Sequence, residues 1–450
     1  MRIVNRISFI FSLIIIAGLY WHGAVIQLRV VNKDMNRTDQ SAYMAEAKDL
    51  FLNHYNNILY IGGRNRMPIY PFIQSLFYKS GMSDNAFFLT GKYVNIILSM
   101  IILILVGIIL QKSFHFLHGF ILFLIITFFV FIEKAAYFQS EILFYFLNFC
   151  LFLLMINLLR KPSLSLSILT GVVAGLAHLT KASILPGLLI FLFIASVKGG
   201  WIVYKNWKSQ PKELRLKTVK MNLLIVPLAA LTFLITVFPY IQVSKRVYGS
   251  YFYNVNSTFY IWYDSWNEAT QGTKAHGDRV GWPDMPPEEI PSFSHYLQTH
   301  TIKDIESRLI NGAIGTFDRG FKEYDYGTYF VIFFVVLLAT QIFHLIKYKK
   351  IPDFDPLYLI FLIVYFGSYF ILYSWYWPIA YGQRFILSQF MPVMFVLAKS
   401  LQEELKKSEL NIFKHPVKAL YAFDVAVLMI LAIDIHLLFT SRINTLYGGS

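Results

Sequence analysis

Long apolar runs separated by short polar or basic stretches repeat along this chain. A helix needs about 20 apolar residues to cross a bilayer. Eleven runs are candidate spans: residues 7–30, 87–110, 116–132, 141–159, 164–180, 182–199, 221–243, 327–346, 356–374, 385–400 and 419–440. The pattern predicts an all-α polytopic membrane protein, one transmembrane domain over residues 1–450, without repeats or low-complexity segments. The chain opens "MRIVNRISFIFSLIIIAGLYW", a basic start before an apolar stretch. That stretch is too long for a signal peptide and closes on no small-residue cleavage pattern, which predicts an uncleaved first span.

The breaks between the runs fall into two kinds. Basic residues mark one set: Arg2 and Arg6, Lys112, Arg160 and Lys161, the group from Lys198 to Lys220, Lys347 to Lys350, and Lys399 to Lys418. With eleven crossings all of these lie on one side, which the orientation rule for basic loops makes cytoplasmic. The N-terminus is then cytoplasmic and the C-terminus outside. The other side receives the 31–86 loop, the turn Glu133 to Glu141, the turn at Lys181, the 244–326 loop, and Trp375 to Arg384. The two long loops contain stretches that read as interfacial helices, Ser41 to Tyr55 and Ile290 to Ile310. Together they predict an outward cavity roofed by surface helices.

Composition agrees with this class and narrows its partners. The chain is 56% hydrophobic and 15% charged, against roughly 25% charged in soluble domains. Its formal net charge is +14, but the basic residues sit between apolar runs rather than on a soluble face, so the sequence points away from nucleic acid. Anionic lipid or an anionic lipid-linked substrate suits them better. The single cysteine, Cys150, excludes an intrachain disulfide and paired-cysteine metal sites. No phosphate-binding loop, dinucleotide fingerprint or "HExxH" is present.

Chemistry-bearing residues concentrate on the outer side. Asp39, just past the first run, is either a general base at the mouth of a cavity or the N-cap of the helix starting near Tyr43; Ser41 is the alternative cap. "GGRNRMPIYPF" places Arg64 and Arg66 before Pro68 and Pro71. Two arginines there suit bidentate phosphate contacts, or reach up to lipid headgroups. Glu141 opens the fourth run from outside with no partner nearby in sequence, whereas Glu133 and Lys134 can pair with each other. Lys181, between two runs with almost no loop, needs a polar cavity to face. Arg384 begins the tenth run in the same setting. Several cations and two acids facing one cavity imply an anionic substrate, and a phosphate on a lipid fits the membrane.

"TDQSAYMAEA" followed by "RNRMPIYPFIQSLFY", then the acid at the fourth span, "GLAHLTK", a long outer loop and "QRFILSQFMP", resembles the membrane glycosyltransferases of the GT-C fold. The likeness is to the branch of protein mannosyltransferases and lipid A aminoarabinose transferases (family 39-like, family 83-like), in feature order over most of the chain. It implies inverting transfer of a sugar from a polyprenyl-phosphate donor to a glycan, lipid-linked glycan or protein acceptor on the outer or periplasmic face. By that resemblance Asp39 is the base and Glu141 positions sugar or acceptor. Arg64, Arg66, Lys181 and Arg384 handle phosphate, while Tyr43 and Tyr70 line the site. Gln40 stands where some branches carry a second acid, and the first outer loop has no Asp-x-Asp motif, which leans against an obligatory divalent metal; no cofactor is expected. A bacterial inner membrane is the expected location. A transporter or flippase of lipid-linked oligosaccharide, and a surface-glycan polymerase or ligase, are the alternative readings.

Overall fold

The computed structural model describes residues 2–61, 64–206, 212–322, 326–348, 355–380, 383–412 and 415–444. The elements are, in order, α1 (Arg2–Ile26), α2 (Gln40–Leu52), α3 (Ile69–Ser75), α4 (Asp84–Ser113), α5 (Phe116–Ile126), α6 (Ile132–Ala135), α7 (Glu141–Arg160), α8 (Leu164–Thr180) and α9 (Leu185–Asn206). They continue with α10 (Lys212–Tyr248), α11 (Val255–Thr258), α12 (Trp266–Gln271), α13 (Phe293–Thr299), α14 (Ile302–Lys322), α15 (Tyr326–Tyr348), α16 (Pro356–Tyr376), α17 (Gln383–Leu405) and α18 (Ala419–Leu437). A two-stranded antiparallel hairpin, β1 (Glu409–Ile412) with β2 (His415–Lys418), joins α17 to α18.

Each of the eleven apolar runs forms a helix, and the protein is an all-α polytopic membrane protein. Nine of the described helical stretches are long and apolar enough to cross a bilayer alone. Of the other two runs, α8 has only 17 residues. The last turns of α17 carry Lys399, Glu403 and Glu404, which shortens its apolar part. Most residues of the stretch Phe116–Ala135 are buried and it forms the hub of the bundle, whereas few residues of Tyr326–Lys347 are buried and it lies at the rim. Three π-helical turns, over Gln27–Val31, Thr127–Phe131 and Leu438–Arg442, lie in or end span helices.

α8 packs closely on α10. Gly171 and Gly175, four apart on α8, meet α10 so closely that a Cβ at Gly171 would strike Thr232 and the Ala229 carbonyl, and one at Gly175 would strike Thr236. Small residues at that spacing allow helices to approach backbone to backbone where no hydrophobic force separates helix from lipid. α10 also contains Pro227 and Pro239, each of which removes a ladder hydrogen bond.

Side-chain contacts sort the connections into two sets. Asn32 meets Ala136, Tyr43 meets Ser140, Lys181 meets Glu141, Asn254 meets Arg64, and Arg308 meets Trp375. At the opposite end of the bundle His115 meets Gln402, Lys399 meets Ser113, Lys198 meets Asp355 and Arg160 lies over Tyr358. The long loops thus share one face. The surface helices fall close to their expected places: α2 ends at Leu52, and the second stretch breaks at His300 into α13 and α14. On α14 the exposed Ile310, Ile314 and Phe317 form one stripe, as a helix lying against lipid requires.

Replacing Gly175 by Val should wedge α8 from α10 and cost about 1–3 kcal/mol by overpacking. The thermal midpoint of the purified protein should fall, while Gly18→Val on α1, where nothing lies within 4 Å, should leave it unchanged.

Candidate functional site

Asp39 occupies the N-cap position of α2, yet its side chain makes no capping hydrogen bond. The carboxylate instead takes Arg66, whose Nη2 donates to Asp39 Oδ1 at 3.3 Å. The cap position therefore places Asp39 without occupying it. The residue before it, Thr38, has φ of +63°, a strained conformation for a β-branched side chain. Gln139 donates to the Thr38 hydroxyl, so the turn before α7 holds that strained position.

A buried amide clasp fixes this segment. Asn32 Nδ2 donates to Gln40 Oε1 and Gln40 Nε2 donates to Asn32 Oδ1, both at 2.8 Å. Asn32 also donates to the Ala136 carbonyl, and the Phe138 amide donates to Gln40 Oε1, again at 2.8 Å. Lys92 of α4 donates to the carbonyls of Leu28 and Asn32 at 3.1 and 2.8 Å. Asn32 and Gln40 are both fully buried. The turn comes this close to α4 because Gly91 leaves room for the Phe138 ring.

From Asp39 the site extends along one face of α2. Positions 39, 43 and 46 follow helical spacing. Tyr43 shares a hydrogen bond of 3.0 Å with Ser140, the residue preceding α7. Its ring stands edge-on to Tyr70 at 5.3 Å between centroids, and Tyr70 accepts from Gln74 at 2.9 Å. Burial, then the charges of Glu141 and Asp39, push the Tyr43 phenol up, which also places both acids near it. Tyr70 is likewise raised by burial. Both phenols are proton donors at neutral pH.

Glu46 is the residue that sequence reasoning missed. Arg66 Nη1 reaches its Oε1 at 3.5 Å, so one guanidinium spans both carboxylates, its centre 5.7 Å from the Tyr43 ring. Glu46 Oε2 is buried with no hydrogen-bond partner. Burial pushes its carboxyl up to about 8, against the opposing pull of Arg66 and, more weakly, Arg279 of the second long loop. The signal in the sequence was its spacing, seven residues after Asp39 and three after Tyr43. It lay unread because alanines flank it on an otherwise ordinary helix.

The remaining predicted residues divide into two groups. Glu141, 2% exposed, is paired: Lys181 Nζ donates to its Oε1 at 3.1 Å. Glu141 has no partner nearby in sequence because this one lies forty residues on. Lys181, expected to face phosphate directly, thus begins with a carboxylate beside it. Arg64 lies apart, stacked on Tyr240 at 3.8 Å to the ring centroid. Arg384 is in the first turn of α17, but its side chain, like Gly62 and Gly63, lies outside the described residues. His178 is buried against the rings of Phe233 and Phe252. Among the described residues no three carboxylates, imidazoles or thiols cluster as metal ligands.

No protein family matches this chain, and no curated protein does. Among solved structures, the oligosaccharyltransferase of Archaeoglobus fulgidus, crystallised with a tethered acceptor peptide, is similar at 13% identity and a TM-score of 0.43. The similarity covers 96% of this chain and 55% of the other, so the chain spans about half the length of that enzyme.

The Glu46 carboxyl yields a pH prediction. An acid that titrates near 4.5 when unfolded and near 8 when folded binds its proton more tightly in the native state. Stability then falls as pH rises from about 4.5 to 8. Glu46→Gln mimics the protonated form and should flatten that decline; thermal midpoints of both proteins between pH 5 and 9 read it.

Proposed function

We propose that the protein is a membrane glycosyltransferase of GT-C type, transferring a sugar from a polyprenyl-phosphate donor to an acceptor hydroxyl on the face that carries the long loops. The single observation behind this reading is the Asp39 carboxylate, released from its capping role and held by Arg66, among Tyr43, Glu46 and the Glu141–Lys181 pair. It is a base mounted on a rigid helix start, with acids and cations on both sides.

In this mechanism Asp39 accepts the proton of the acceptor hydroxyl. That oxygen attacks the anomeric carbon from the side opposite the phosphate, the new C–O bond forms, and the bond to the phosphate oxygen breaks. The departing polyprenyl phosphate takes the electron pair and its negative charge. Lys181 and Arg384 neutralise that charge, which is where fixed cations contribute most to a reaction of this kind. Glu141 positions Lys181 and the sugar; Tyr43 and Tyr70 line the cavity; Arg64 and Arg66 belong to the substrate-binding set. The loop-bearing face is periplasmic in the inner membrane of a bacterium, with the N-terminus in the cytoplasm, as the basic loops direct. The acceptor is a glycan, a lipid-linked glycan or a protein.

The test is transfer in reconstituted membranes from radiolabelled polyprenyl-phosphate sugars to endogenous acceptors. Asp39→Asn should lower turnover roughly 10²–10⁴-fold, the usual range for a lost general base, with donor binding kept. Transfer that survives the substitution removes Asp39 from the chemistry. Donors left unconsumed across the panel direct attention to transport of a lipid-linked oligosaccharide.

A further inference from the structure

Pro392 lies inside α17, nine residues after Gln383 opens that helix. Proline has no N–H, so the carbonyl four residues earlier, that of Ser388, loses its helical donor, and the ring pushes it aside. Inside a membrane protein a freed carbonyl has to be met by a neighbouring element. Asn148 of α7 meets this one: its Nδ2 donates to the Ser388 carbonyl at 2.6 Å. Both residues are buried. The Tyr365 hydroxyl of α16 donates to Asn148 Oδ1 at 3.5 Å, which turns the amide nitrogen towards α17. Tyr373, also on α16, shares a hydrogen bond of 3.0 Å with the Ser388 hydroxyl. The turn before the proline is thus held from two helices.

The prolines of α10 are treated differently. Pro227 and Pro239 free the carbonyls of Leu223 and Ile235 in the same way. Among the described residues no side chain donates to either carbonyl, and Leu223 and Ile235 are exposed on the outer surface of the bundle. A clasp is therefore not the automatic companion of a proline in this bundle. What sets the one at Ser388 apart is the pair of elements it joins. Both α7 and α17 begin on the loop-bearing face. Asn148 is seven residues after Glu141, two turns along the same face of α7. Ser388 is four residues after Arg384, one turn along α17. At 1.5 Å per residue the backbone of Glu141 stands about 10 Å above the clasp and that of Arg384 about 6 Å.

We propose that Asn148 is a positioning residue for transfer: by holding the Ser388 carbonyl that Pro392 frees, it fixes the outer stub of α17, and Arg384 with it, against the Glu141–Lys181 corner. The inference rests on the reading that the protein transfers a sugar from a lipid-linked phosphate, because that reading gives Arg384 and Lys181 a common task. A proline is where the two parts of a helix tilt against each other, and the stub from Gln383 to Met391 is the part that carries Arg384. Asn148 ties this stub to the helix that opens with Glu141, and Glu141 takes Lys181. One helix, α7, thus sets the positions of both cations that neutralise the departing phosphate. Without the clasp the stub tilts and the leaving charge is met from one side only. Asn148 itself touches no substrate and acts through the backbone of α17.

Two double-mutant cycles in the purified, reconstituted full-length protein test this. The first reads the clasp by thermal midpoint. Asn148→Leu, similar in shape but without a donor, should lower the midpoint in the natural sequence. It should lower it far less in a Pro392→Ala background, where a backbone N–H again meets the Ser388 carbonyl. Equal losses in both backgrounds overturn the proposal. The second cycle reads kcat with the polyprenyl-phosphate sugar that wild type consumes. Asn148→Leu should lower kcat at least about tenfold, as a displacement near 1 Å at a reacting group does. In an Arg384→Gln background the same change should cost less than about twofold, since the group it positions is already gone. Losses that multiply also overturn the positioning role, because a purely structural residue acts independently of Arg384. If Asn148→Leu fails to fold, Asn148→Ser, too short to reach Ser388, takes its place in both cycles under the same criteria. A wild type that transfers from no donor removes the glycosyltransferase reading and the positioning role with it, while the first cycle still shows whether the clasp is present. Transfer by wild type with multiplying losses removes the positioning role and leaves the reading.

Discussion

The reciprocal amide pair of Asn32 and Gln40 is the constraint to which the rest of the loop-bearing face is referred. Each side chain offers one donor and one acceptor to the other, and the capacity left over is spent on the backbone of the 136–138 turn. Buried amides satisfied in this way specify one arrangement, because any shift in register leaves several polar groups unmet at once. The end of α1, the start of α2 and the turn before α7 consequently move as one piece. Asp39 stands one residue before Gln40, and Glu141 three after Phe138. The two acids inherit their relative position from a pair of neutral amides, and Lys92, contributed by α4, closes the carbonyls beneath.

On that frame the charges are arranged unequally. Arg66 is shared between two carboxylates, one partly exposed and one largely enclosed. Lys181, partly buried, pairs with the buried Glu141, and each ion limits the desolvation cost of the other. Arg64 has rings in place of a carboxylate. A site that binds anions needs this gradation. Cations fully neutralised by protein acids attract little, and cations left entirely unpaired would be too costly to bury in number. Glu46, tending towards its neutral form, moderates the negative charge around Arg66 without removing a hydrogen-bond acceptor.

Much of the fold was legible because membrane helices announce themselves in apolar length alone. All eleven runs became helices. The limits of that reading have physical causes. α10 begins nine residues before its apolar run, since helical hydrogen bonding continues past the hydrocarbon-like stretch. The β1–β2 hairpin lies in a polar connection too short to carry a strand pattern. At the site, sequence named the acids and bases but not their pairing. Lys181 finds Glu141 across forty residues, a contact set by the crossing of α7 and α8. Glu46 was hidden by the opposite circumstance: it sits on the same short helix as Asp39, and only the helical period connects them. Gln40 was noticed as a missing acid, whereas its amide is what joins three segments.

The membrane helices do more than anchor these groups. α8 ends at Lys181, and α10 carries Tyr240, so the separation of these two helices sets the distance between the Glu141–Lys181 corner and the shelf beneath Arg64. Gly171 and Gly175 bring the helices to backbone contact, which fixes that separation more firmly than interdigitated side chains would, since few rotamers are left to adjust. Pro239 then interrupts the hydrogen-bond ladder of α10 beside Tyr240, where a regular helix would follow its neighbour most closely. A tight contact just below and a broken ladder at Pro239 leave an apolar groove, lined by Leu179 of α8 and by Thr236, Pro239 and Tyr240 of α10, between two helices otherwise in contact. The opening thus follows from glycine and proline placement on α8 and α10, and the loops supply the charges around it.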